Sequence, residues 1–244
     1  MINFIKAEFF RSRKDKFLLL VFAIVFIGYA STTLLAAVGD HCTRYSILFS
    51  SWQNQYYFIL KLSVFLLCCI WTQEFRYETL KNVFSSGKGI EKFYLAKVIV
   101  QFIMCLILFI WALLFYILLF VMLPKESGDI SAIALERFKG LAAMLPYSFV
   151  EISVLNLIYM VIKKETLMFI LYFLFVDTIG SIISSFTGMS FFETISIGNG
   201  YDKAVSVFIN SNERIMTMAV MLIYIIVINL ITCLFLKKGK LHCQ

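Results

Sequence analysis

The chain has 244 residues, of which 61% are hydrophobic and 15% charged, with a formal net charge of +7. A disordered chain needs the opposite balance, and one soluble domain of this length cannot bury so much apolar side chain; the class left is a polytopic membrane protein. In that class the basic excess points first to inner-face loops rather than to nucleic acid.

Residues 1–16, MINFIKAEFFRSRKDK, place Ile2, Ile5 and Phe9 at helical spacing, with Lys6, Arg11, Arg13 and Lys14 interleaved. This pattern predicts an amphipathic helix at the inner membrane interface. A basic flank that only sets topology is the other reading. Six apolar runs follow, at 17–38, 52–71, 94–123, 141–162, 166–186 and 215–236. Each is long enough to cross the hydrocarbon core as a helix, and none shows the ten-residue alternation of a barrel strand. The first run is too long for a signal peptide's apolar region and no cleavage pattern follows, so it reads as a retained span. Trp52 and Trp71 bracket the second span as interfacial aromatics do. The third run is 30 residues, enough to tilt or to project into the cytosol. Pro146 falls in the first turns of the fourth, where it can kink the helix. The fold class is therefore all-α: one membrane domain over 1–244, six spans, no internal repeat.

Orientation follows from the distribution of Lys and Arg. With the N-terminus inside, the inner segments hold 15 and the outer loops 6. That asymmetry predicts both termini on the cytoplasmic side. Counting acids as well, the inner segments carry +9, while the outer loops and the spans carry −1 each.

The inner segment between spans two and three, residues 73–92, is the most informative. Leu80, Val83 and Phe84 form one apolar face, surrounded by Glu74, Arg76, Glu78 and Lys81. A solvated loop does not need such a face; a helix that docks on a partner or on the membrane surface does. Ser85-Ser86-Gly87 ends it, and Lys88, Lys92 and Lys97 lead into span three. Gly87-Lys88-Gly89 is not a phosphate loop, because Asn82 stands where the first glycine belongs and Gly89 where Ser or Thr belongs.

With these features the chain resembles the membrane subunits of ABC transporters of the type-2, exporter-like permease family. In that family the segment after span two carries an acidic residue, a Thr-Leu pair, and basic residues before a Lys at the start of span three. Glu74, Thr79-Leu80, Lys88 and Lys97 look like these, although Glu78 stands where the family often has glycine. The resemblance covers the whole chain, and the compact length is similar to permeases of bacteriocin, lantibiotic and bacitracin immunity transporters. A Phe-, Ile- and Lys-rich composition would suit a low-GC Gram-positive bacterium. The resemblance implies a permease in the bacterial plasma membrane, paired with an identical or related second permease and docked on separate ATPase subunits. The ATP and Mg would belong to those subunits, with no cofactor or catalytic residue in this chain. It also implies that Glu74, Arg76, Glu78, Thr79, Leu80, Val83, Phe84 and Lys88 couple the permease to the ATPase. The expected substrate is a peptide antibiotic or other amphipathic peptide; a small drug or lipid-like molecule is the alternative.

Lys61, Glu151 and Asp177 lie within apolar runs. A charge near the bilayer centre costs about 2.5–3.5 kcal/mol on the insertion scale, so it faces either a partner or a water-filled path. Lys61 paired with Asp177 or Glu151 is one reading, and a pathway for a cationic or amphipathic substrate is the other. Gly28, Thr32 and Ala36 recur four apart on span one, and Gly180 and Ser184 do so on span five. Small faces allow close helix approach, either within the chain or, as the resemblance suggests, between two permeases. The outer segment 187–214 begins with an apolar stretch able to dip into the outer leaflet. The resemblance implies short re-entrant helices there that close an outer gate, with Glu193 a gating or structural residue. An interfacial loop fits equally.

The six cysteines form no disulfide framework, and neither they nor His41 and His242 show metal-site spacing. No span contains His, which argues against an intramembrane metalloprotease or Ser–His protease. An ATP-independent transporter and a membrane sensor or scaffold stay behind the exporter reading.

Overall fold

The computed structural model describes residues 2–14, 16–38, 61–62, 64–69, 90–122, 130–162, 164–172 and 211–241. Among these the chain is helical and contains no strand. The long elements are α1 (Ile2–Lys14), α2 (Lys16–Val38), α3 (Ile90–Met122), α4 (Ile130–Ile162), the short α5 (Glu165–Leu171) and α6 (Ser211–Leu241). Residues 61–62 and 64–69 are also helical.

Three helical stretches are long and apolar enough to cross a membrane: Glu91–Trp111 in α3, Leu145–Ile162 in α4 and Met218–Lys237 in α6. Leu19–Gly28 in α2 is a shorter apolar stretch. The helices outrun the membrane. At 1.5 Å per residue the 33 residues of α3 span about 50 Å, against a hydrocarbon core of about 30 Å. The helix α4 begins at Ile130, inside what the sequence suggests is an outer loop. Ala132, Ala134, Leu135, Glu136, Arg137 and Lys139 are helix-compatible residues with no glycine before Gly140. Charge, not loss of helix, therefore separates this extension from the crossing stretch. Pro146 lies inside α4, two residues from Met144 and at the start of that stretch.

The helix α3 is the hub of the bundle and touches α1, α2, α4 and α6; α4 also packs along α6. Toward one end, Phe93, Tyr94 and Val98 of α3 meet Leu236 of α6, with Met160 of α4 against them. Toward the other end, Tyr147 and Val150 of α4 meet Met221 of α6. Phe102 and Phe149 stack between α3 and α4 with centroids 4.4 Å apart, and Phe26 of α2 sets its edge on Trp111 of α3 at 6.0 Å. Outside these contacts the membrane-length helices expose many large apolar side chains. On α6, Leu222, Ile226, Leu230 and Leu234 recur every four residues and all are exposed. Water does not tolerate such a face on a monomer; lipid does.

Candidate functional site

Where a bundle's outside is as apolar as its inside, polar side chains between helices carry specificity. Tyr94 and Gln101 stand seven residues apart on α3 and so share a face. Ser153 and Asn156, one turn apart, face them from α4, and Asn229 does so from α6. All of these are buried.

The side chains form two hydrogen-bonded units. The Tyr94 hydroxyl donates to Asn229 Oδ1 at 2.6 Å. Asn229 Nδ2 donates to Ser153 Oγ at 2.9 Å and to the Ile225 carbonyl at 2.7 Å. Ser153 in turn donates to the Phe149 carbonyl at 2.9 Å. The chain of bonds thus runs from α3 through α6 to α4 and ends on a backbone acceptor. The second unit is reciprocal: Asn156 Nδ2 donates to Gln101 Oε1 at 2.8 Å, and Gln101 Nε2 donates to Asn156 Oδ1 at 3.3 Å. It ties α3 to α4 directly.

Two ion pairs gather at one end of the bundle. Lys97 Nζ lies 3.1 Å from Glu8 Oε2, with the side chains only 5% and 13% exposed. The same ammonium sits 5.2 Å from the Phe93 ring centroid. Removing one partner of so shielded a pair is costly even where the pair itself adds little net stability. The second pair, Lys237 with Glu91, is exposed and joins the end of α6 to the start of α3.

Of the residues singled out from sequence, Lys61 is buried, with its ammonium 5.4 Å from the Tyr172 ring centroid. Glu151 is buried on α4. Gly28 is half-buried on α2, where its carbonyl accepts the Ser31 hydroxyl at 2.9 Å. Thr32 and Ala36 lie further along the same helix. Glu74, Arg76, Glu78, Thr79, Leu80, Val83, Phe84 and Lys88 lie outside the described residues, as do Asp177, Gly180, Ser184 and Glu193.

Reading only the charges within apolar runs passes over Gln101, Asn156 and Asn229. Their signal is a primary amide in a lipid-spanning run, a residue type that seeks a partner on a neighbouring helix. Lys97 looks in sequence like one more basic residue of the inner flank; the fold gives it Glu8. Among the described residues no group of three His, Cys, Asp or Glu could hold a metal. The arrangement holds helices in register. Comparisons with protein-family models, with curated proteins and with solved structures each return no match.

Proposed function

We propose that this chain is the permease subunit of an ATP-driven ABC exporter in a bacterial plasma membrane, with six spans and both termini in the cytoplasm. A second permease completes the pathway, and separate ATPase subunits dock on the segment 73–92. The cargo is a peptide antibiotic or bacteriocin, moved for export, self-immunity or resistance; a small drug or lipid-like molecule is the second choice.

The observation that carries this reading is the meeting of Glu8, Glu91, Lys97 and Lys237 at one end of the bundle. All four belong to segments that the distribution of basic residues puts inside. Chain continuity then supports the span count. The helix α3 leaves that end and α4 returns to it, since Met160 packs with Tyr94 and Leu236. The helix α6 also finishes there, which favours one more crossing between α4 and α6. The apolar run 166–186 is the stretch able to do so. Likewise, α2 departs from α1 and reaches Trp111, 20 residues beyond Glu91, so a return crossing is needed before α3. The run 52–71, in which Lys61 is buried, is the stretch we assign to it. The three helices already named, α2 and these two make six. The same end presents the N-terminal helix and the entry to α3, and the proposed topology assigns the segment 73–92 to that side, as a docking side for an ATPase requires.

The test is ATP hydrolysis in proteoliposomes holding this chain and the ATPase that co-purifies with it. Hydrolysis should exceed that of the ATPase alone, and Leu80→Asp should abolish the difference. Hydrolysis indifferent to the permease contradicts the proposal.

A further inference from the structure

The helix α1 uses only part of its circumference on the bundle. Ile5 and Glu8 turn inward, and Glu8 is spent on Lys97. The opposite side carries Phe10, which is 60% exposed, with Phe9 beside it and Lys6 and Lys14 exposed around it. Lys14 Nζ stands 4.4 Å from the Phe10 ring centroid, so a cation lies over the most exposed aromatic ring of this face. The face is continuous with a lipid-facing surface: Lys16 opens α2 exposed, and Leu19 and Leu20 follow it exposed.

We infer that this face of α1 binds the headgroups of anionic phospholipids in the inner leaflet, with Phe10 inserted at the acyl boundary and Lys6, Lys14 and Lys16 on the phosphates. The inference rests on the proposed orientation and names the lipid chemistry that the interfacial helix takes. The inward acid Glu8 is paired with Lys97 and so does not compensate the exposed lysines Lys6 and Lys14. Apolar insertion and attraction to an anionic surface then add. A neutral lipid would satisfy Phe10 but leave the lysines with nothing to recognise.

The experiment is hydrogen exchange on the full chain in nanodiscs of phosphatidylcholine, with and without a minority of phosphatidylglycerol. Exchange along α1 should slow severalfold when phosphatidylglycerol is present, and high salt should reverse the change. Lys6→Gln with Lys14→Gln removes about fivefold in affinity per cation, about 25-fold together, and should therefore abolish the severalfold lipid-dependent protection. Lys6→Arg with Lys14→Arg should keep it. Equal exchange in the two discs overturns the proposal, whether neutral lipid or protein then covers the face. So does equal protection by soluble glycerol phosphate in phosphatidylcholine discs, which would make free phosphate the ligand. Fast exchange along Glu91–Trp111 and Met218–Lys237 in both discs overturns the membrane reading as well; slow exchange there with α1 indifferent to phosphatidylglycerol overturns this inference alone.

Discussion

The Gln101–Asn156 pair makes a sharp energetic prediction because the two amides bond reciprocally, at 2.8 and 3.3 Å. Asn156 is 1% exposed and Gln101 6%, so neither can turn to water. Gln101→Leu strands the Asn156 amide, and a buried polar group left without its partner costs about 1–3 kcal/mol. Asn156→Leu strands Gln101 in the same way. Interhelical hydrogen bonds in membranes average only about 0.6 kcal/mol, because the unfolded helices also find partners in lipid. The lower part of the range therefore applies, about 1–2 kcal/mol for each single variant. The double variant Gln101→Leu/Asn156→Leu strands nothing and loses only the pair, so it should lie within about 1 kcal/mol of the parent. The two singles should thus sum to more than the double, with a coupling of at least about 1 kcal/mol. Reversible unfolding in mixed micelles, followed for all four proteins, measures this directly. Additive losses, with the double variant the least stable of the set, would refute the reasoning.

Other outcomes follow from the charges. Glu8→Lys should speed hydrogen exchange along α1 severalfold, and the exchanged pair Glu8→Lys/Lys97→Glu should restore protection, since the two side chains meet at 3.1 Å. Tyr94→Phe and Asn229→Leu, measured in a double-mutant cycle, should couple by about 0.5–1.5 kcal/mol through the 2.6 Å bond they share. Lys61→Met and Asp177→Asn separate pairing from pathway: reduced protein level in the membrane assigns them to helix pairing, while normal level with lost resistance or export assigns them to the pathway. Reversing charge at Glu74 or Arg76 should leave insertion intact and weaken ATPase capture several-fold in a pull-down.

The helical class and three membrane-length helices were legible because lipid imposes them. An apolar run of membrane length has to be helical, and the runs 17–38 and 215–236 fall within or against α2 and α6. Helix ends were less legible, since composition marks where lipid stops and not where the helix does. The helix α4 continues through Glu136, Arg137 and Lys139 for this reason. The buried charges Lys61 and Glu151 were legible as buried, because a charge inside an apolar run has few other places to go. Their neighbours were not: Tyr172 opposite Lys61, or Glu8 opposite Lys97, depends on which helices adjoin and in what register. The hydrogen bond from Tyr94 to Asn229 joins residues 135 apart in the chain, and nothing local in either run specifies it.

The most direct test of the exporter reading is affinity purification of the intact chain from its native membrane. The account predicts a stoichiometric ATPase carrying a phosphate-binding loop, held by the parent chain and released by Leu80→Asp. A chain that inserts normally and purifies with no ATPase, in the parent as in the variant, would contradict it.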